Sequence, residues 1–313
     1  MNTLAVVLEK PQSIALSELE LASPQDDDVV VNIAWSGISS GTEKLLWSGR
    51  MPDFPGMGYP LVPGYESVGW VSEAGATSGH DVGEMVFVPG ANCFGDVRGL
   101  FGGAASRLVV PGRRAVPVDE ELGKRSLLIA LAATAQHAVS RCGERGPELI
   151  VGHGVLGRLV AQLTCLAGGP QPVVWEREPA RRQGALGYSV IDPADDDRHD
   201  YRAICDVSGD ASVLDTLISR SAPEGEITLA GFYGERPSFA FPPAFMREVR
   251  LRIAAQWSES DLIEVKELAE CGVLELDDLI THEETVENAV AAYQTAFTEP
   301  ACLKMVLDWS ACS

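Results

Sequence analysis

The residues with the clearest chemistry are three glycines and an acid. Gly152, Gly154 and Gly157 lie in Glu148-Leu-Ile-Val-Gly-His-Gly-Val-Leu-Gly157, between the short apolar run Leu149 to Val151 and an apolar, helix-like stretch from Arg158 to Ala167. In a dinucleotide-binding turn the first glycine makes the tight exit from a strand. The second lets the backbone approach a pyrophosphate, and the third lets helix and strand pack closely. Val155 and Leu156 then lead into a helix N-terminus, whose unpaired N–H groups and positive dipole end suit phosphate. A glycine turn alone is weak, because any α/β protein can contain one. A second apolar run, Pro172-Val-Val-Trp-Glu176, ends in a carboxylate nineteen residues past Gly157, close to the ~20-residue offset at which an acid binds the adenosine ribose hydroxyls. Glu176 repels a 2′-phosphate, which favours NAD over NADP; Arg177, Arg181 and Arg182 keep NADP open.

These groups need a doubly wound parallel sheet to position them. From about Lys124 the texture alternates between helix and strand, the pattern of an α/β domain. A helix is expected over Ser126–Cys142, then strand Val173–Glu176, helix Pro179–Leu186 and strand Ser189–Asp192. Strand Ala203–Val207, helix Ala211–Arg220, strands Glu226–Gly231 and Val249–Trp257, and helix Ser258–Cys271 follow. The first 120 residues are β-rich instead, with short runs at Leu4–Leu8, Val29–Ile33, Ser67–Val71, Met85–Val88 and Arg107–Val110. Two long Gly/Pro-rich loops interrupt them, Ser36–Tyr65 and Pro89–Gly103, and loops of that length are usually functional. After a helix over Thr285–Phe297, opened by a carboxylate-rich turn at Glu283-Glu284, the strand Leu303–Asp308 implies a return to the first domain. The expected division is 1–123 with 273–313, and 124–272.

Composition narrows the class. With 313 residues the chain can hold two domains. A formal net charge of −21 argues against nucleic acid as a partner. No stretch approaches the ~20 apolar residues of a membrane span, and Met1–Lys10 lacks the pattern of a secretory signal. Seven scattered cysteines, never in a CxxC pair, fit reduced thiols in a cytoplasmic protein rather than a disulfide framework or zinc cluster.

Several further motifs carry a resemblance. Gly37-Ile-Ser-Ser-Gly-Thr-Glu43, Val62-Pro-Gly-Tyr-Glu66, Thr134-Ala-Gln-His-Ala138, Cys205-Asp-Val-Ser-Gly209, Leu229-Ala-Gly-Phe-Tyr233 and Lys304-Met-Val-Leu-Asp308 make the chain resemble medium-chain dehydrogenases/reductases along nearly its whole length. The resemblance implies a GroES-like β-rich catalytic domain, a Rossmann domain and a substrate in the cleft between them. It also places Thr134 beside the nicotinamide, and Ser208 and Gly231 among the cofactor-binding residues. The longer stretches Ser36–Trp47, Pro60–Gly69 and Gly99-Leu-Phe-Gly-Gly-Ala-Ala105 resemble a narrower subgroup, the bacteriochlorophyllide a dehydrogenases. These use NAD to oxidise the 1-hydroxyethyl group of a tetrapyrrole to an acetyl group.

The departures set the chemistry. Zinc-dependent relatives carry a cysteine and a histidine where this chain has Ser39 (or Ser40) and Tyr65, and a third ligand is missing near Ala130. Only Cys93 remains where relatives hold a four-cysteine structural zinc. Hydroxyls and a phenol are poor zinc ligands, so the chain is expected to be metal-free. The alkoxide must then be handled by Thr42, Lys44, Tyr65 and Glu66. Tyr65 is the candidate base, with Lys44 supplying the cation that a phenol of pKa ~10 needs; Glu66 suits a structural anchor better than a catalytic role. His153 is expected to matter through its backbone more than its ring. Trp47, Met51, Phe54 and Tyr59 in the first loop, and Phe94 and Phe101 in the second, are candidates to line a flat apolar substrate. Two other readings stay open, an NADPH-dependent quinone or enoyl reductase and a non-catalytic cofactor-binding protein. A homodimer through the sheet edge Val249–Trp257 is expected.

Overall fold

The computed structural model describes residues 1–312. The chain divides into two compact units, Met1–Leu128 with Leu279–Ser313, and Ile129–Asp278; the sequence expectation had placed the boundaries at 123/124 and 272/273.

The first unit is β-rich. One sheet runs in the order Ile280–Thr285, Lys304–Asp308, Asp28–Ile38, Ser67–Ala74, Met85–Val88, Val116–Pro117, with Arg107–Pro111 also paired to Asp28–Ile38. A smaller sheet joins Ser13–Glu20, Asn2–Lys10, Leu61–Val62 and Arg98–Gly99. The valines and isoleucines of Asp28–Ile38 are buried almost throughout, which makes it the central strand. The last strand lies antiparallel to it, with Met305 opposite Ile38 and Asp308 opposite Trp35, so the C-terminal segment completes this unit. Glu283 and Glu284 sit in the edge strand Ile280–Thr285 rather than in a turn; the helix begins later, as Ala289–Thr298. The first long loop is not irregular throughout, because Thr42–Ser48 forms a helix ended by Gly49 at φ 71°.

The second unit holds a six-stranded parallel sheet ordered Ser189–Ile191, Val173–Trp175, Leu149–Val151, Tyr201–Asp206, Ser221–Leu229, Arg250–Ile253. The chain starts at the centre, works outward on one side and then crosses to the other, which is the dinucleotide-binding topology. Val151 lies beside both Trp175 and Asp206. The register therefore brings Gly152, Glu176 and Ser208 to the same end of the sheet, at the switch point where ligands bind in such folds. Ser258 caps the helix Glu259–Glu270 through a reciprocal bond with Asp261, as its position before the apolar pattern suggests.

Two elements are shorter than expected. The helix over Pro179–Leu186 shrinks to one turn, Pro179–Arg181. Gly184 and Gly187 adopt φ of 79° and 80°, and the carbonyls of Arg181, Gln183 and Gly184 accept from the Arg158 guanidinium instead of from a helix. The strand Val249–Trp257 is confined to Arg250–Ile253.

Candidate active site

At the glycine turn, Gly152 has φ 105°, and a methyl group on Gly157 would stand 1.9 Å from the Gly152 carbonyl. Nothing lies within 4 Å of where a Cβ on Gly154 would be, so the turn keeps an open face. Gly154 caps the helix Val155–Leu166 without any side-chain hydrogen bond, which leaves its first turn available to an anion. The Glu176 carboxylate is held beside the turn. One oxygen accepts from His153 N at 3.1 Å and the other from Glu178 N at 2.8 Å, and each retains acceptor capacity for a hydroxyl. This cradle fits a dinucleotide. The Ser208 hydroxyl donates to Asp206 (2.7 Å) and the Gly231 N–H to the Asp206 carbonyl (3.0 Å), so both shape the turn's backbone more than they offer free groups. Thr134 donates to Ala130 one turn back at 3.0 Å. Arg177 pairs with Asp210 at 3.0 Å, and Arg182 holds the Glu176 and Arg177 carbonyls and Asp192.

In the first unit the strand end Asp28–Ile38, the helix Thr42–Ser48 and the segment before Ser67–Ala74 bring a set of hydroxyls together. Ser39 Oγ and Tyr65 Oη are 2.6 Å apart, and Thr42 also bonds the phenol. Burial pushes the Tyr65 phenol well above its ordinary pKa, helped by the neighbouring Glu66 charge. Lys44 does not offset this. Its ammonium is bonded to the Phe297 carbonyl at 2.7 Å, which corrects the expectation of a lysine-activated phenolate; burial and the Glu66 charge favour the neutral phenol.

Two carboxylates lie behind the hydroxyls. Glu66 is buried and accepts from the buried Lys304 ammonium at 2.7 and 3.0 Å, so it anchors the last strand to the motif loop and does not face the hydroxyl set as an acid. Gly37 is required beside it, because a Cβ there would stand 2.3 Å from a Glu66 oxygen. Glu43 was missed as a site residue. It is wholly buried, accepts from Ser39 N and from Tyr293 Oη at 2.9 Å each, and burial raises its pKa to about 7. The signal was present in the sequence, as an acid inside a motif of small residues.

These residues do not suit zinc. Donors around a tetrahedral zinc stand roughly 3.3–3.8 Å apart given bonds of ~2.0–2.3 Å, whereas the two hydroxyls at the former ligand positions bond each other directly. Among the described residues no group of three or more His, Cys, Asp or Glu is placed to hold a metal ion.

The aromatic loop splits. Met51 joins Leu8, Leu46, Leu61 and Leu100 in a small core, and Phe94 is buried in the main one; their burial corrects the expectation that they line a substrate. Trp47, Phe54 and Tyr59 are half-buried against the small core. Phe101 stays 40% exposed and meets the Tyr65 ring edge-on at 5.7 Å.

Comparison with known proteins gives the family. Residues 25–120 match the alcohol dehydrogenase GroES-like domain. The chain is 54% identical, over 99% of both chains, to the 2-desacetyl-2-hydroxyethyl bacteriochlorophyllide A dehydrogenase of Cereibacter sphaeroides. It is likewise 54% identical, with the same coverage, to the Rhodobacter capsulatus protein of that name. An alcohol dehydrogenase from E. coli CFT073, solved with NADH, shares the fold with a TM-score of 0.82 at 21% identity, covering 98% of this chain and 99% of that one. The chain belongs to the bacteriochlorophyllide a dehydrogenase family of the medium-chain dehydrogenases/reductases.

Proposed function

We propose that this protein is a cytoplasmic, metal-independent dehydrogenase that oxidises the 1-hydroxyethyl group of a bacteriochlorophyllide-type tetrapyrrole to an acetyl group with NAD. The observation that carries the substrate is the 54% identity, end to end, to two proteins named for that reaction. No described helix is long and apolar enough to cross a membrane. A mutant strain lacking this protein should accumulate the hydroxyethyl pigment; unimpaired acetyl pigment in that strain would contradict the reading.

When bound, NAD supplies the hydride acceptor. The chain's own part is to hold the substrate oxygen and take its proton. Tyr65 accepts the hydroxyl proton while passing its own to Thr42, which passes its own to water; Ser39 holds the phenol in place. Thr42 is half-buried and next to the exposed Gly41, which makes it the exit to water. One proton enters the chain of hydroxyls and one leaves, so no phenolate forms. The same hydroxyls hydrogen-bond the oxygen as charge develops on it. Glu43 and the Glu66–Lys304 pair position this set. Phe101 gives the macrocycle an edge to pack on, with Trp47, Phe54 and Tyr59 behind it.

Preference for NAD rests on Glu176, whose two oxygens are held by backbone N–H groups. Charge-assisted hydrogen bonds contribute ~1.5–3 kcal/mol. Glu176→Ala should therefore weaken NAD binding about 10- to 100-fold and narrow its advantage over NADP, as read by cofactor titration. Equal wild-type affinity for both cofactors would refute the assignment.

A homodimer is the expected assembly. Among the described residues the edge strand Arg250–Ile253 has no partner on its outer side; its Ile253, and Phe241, Phe245 and Met246 of the preceding helix Phe241–Arg247, are 64–76% exposed. Apolar surface along an open sheet edge invites a second copy. Light scattering at micromolar concentration should give twice the mass of 33.4 kDa; a monomer would contradict this.

A further inference from the structure

The second residue of the glycine turn does more than a turn residue needs to. His153 is fully buried. Its Nδ1 lies 2.6 Å from the Arg181 carbonyl and its Nε2 lies 2.9 Å from Tyr188 Oη, with the two rings edge to face. A carbonyl only accepts, so Nδ1 carries the proton. Burial lowers the ring's pKa to about 4, so Nε2 is left to accept from the tyrosine.

Arg158, one turn into the helix and also buried, runs alongside. Its guanidinium donates to the carbonyls of His153 (3.3 Å), Gly184 (3.2 Å), Arg181 (3.1 Å) and Gln183 (2.6 Å). Gly184 has to be glycine for this, since a Cβ there would meet the guanidinium at 2.4 Å. Together the two side chains tie the segment 181–188 to the glycine turn. Glu176 lies a few residues before this segment and is itself held from both directions, by the N–H groups of His153 and Glu178.

We infer that His153, Arg158 and Tyr188 are positioning residues for the adenosine end of the dinucleotide, holding the 178–188 segment as a fixed wall so that Glu176 faces the ribose hydroxyls and discriminates against a 2′-phosphate. The assignment rests on the dinucleotide reading proposed above. Its physical content is rigidity. A carboxylate fixed beside the turn can both accept two hydroxyls and repel a phosphate. If that wall loosens, the Glu178 N–H no longer fixes the carboxylate, which can swing away, while Arg181, borne on the segment, can turn towards a phosphate.

The test is cofactor binding to purified full-length protein, followed by NADH and NADPH fluorescence titration without pigment, alongside thermal melting. Tyr188→Phe removes one hydroxyl and keeps the ring. It should weaken NADH binding roughly 3- to 10-fold, the size of one buried hydrogen bond, and shift the NADH:NADPH ratio towards NADPH. His153→Leu removes both ring bonds and should do more of the same; His153→Gln, which can still donate and accept, should recover part of the affinity. If His153→Leu does not fold, Tyr188→Phe carries the test. Variants that melt earlier yet keep wild-type NADH affinity and ratio would show a structural role only and overturn the inference. Wild-type protein that binds neither cofactor would remove the proposed function and this assignment together, whereas wild-type binding with unchanged variants removes this assignment alone.

Discussion

Tyr65→Phe is expected to lower turnover by a factor of ~10²–10⁴, the range typical for a positioned proton-transfer group, while leaving cofactor binding at its wild-type value. The phenol is the hydroxyl to which both Ser39 and Thr42 are bonded. Phenylalanine keeps the ring and its edge-on contact with Phe101, so the loss is confined to the proton path. Because burial raises the phenol's pKa, activity is not expected to rise with a phenolate titration near pH 10. Ser39→Ala should cost less than Tyr65→Phe, since Thr42 still offers an exit. Steady-state kinetics with NAD and pigment, together with NADH titration, check this. A Tyr65→Phe enzyme with full turnover would move the proton path elsewhere.

The second large effect is on stability. Lys304→Met should cost ~3–5 kcal/mol near pH 8, because it strands a buried carboxylate without its counter-ion. Lys304 and Glu66 are 2% and 1% exposed, and Glu43 beside them is 0% exposed. An unpaired buried carboxylate favours its protonated form, so the deficit should shrink as pH falls from 8 towards 5. Wild-type protein carries a related dependence through Glu43. Its folded pKa of about 7 lies above the ordinary 4.5, so the folded state binds the proton more tightly. That contribution is fully present below pH 4.5 and is lost as pH rises through about 7, in total about 3 kcal/mol. Denaturant unfolding at several pH values should show this slope in wild type and a flatter one in Glu43→Gln. A Lys304→Met protein as stable as wild type at pH 8 would contradict the account of the buried cluster.

Local spacing made the fold around the candidate cofactor site legible. The glycine turn, the strand ends around it and the offset to Glu176 all follow from patterns within about thirty residues, and the register places them at one sheet end. The motif loop was legible in which residues stand at the former ligand positions, and less so in what they touch. Lys44 reads as a cation near Tyr65, yet its ammonium reaches Phe297, 253 residues away. Glu66 and Lys304 are separated by 238 residues, and Glu43 and Tyr293 by 250; no local pattern pairs them. The visible clue was a lysine set in the apolar stretch Leu303 to Leu307, where a charge must find a partner. The missing helix over Pro179–Leu186 failed for a comparable reason: its carbonyls are satisfied by Arg158, from a different element. Met51 and Phe94 show that a loop with enough apolar residues builds core of its own before it offers any to a ligand.

The central claim is tested most directly by incubating the purified, chelator-treated protein with NAD and hydroxyethyl bacteriochlorophyllide, and following NADH absorbance and the pigment's mass together. One NADH per pigment, with the pigment losing two hydrogens, is the predicted result. Pigment left unchanged in the presence of NAD, or turnover that appears only when zinc is restored, would contradict it.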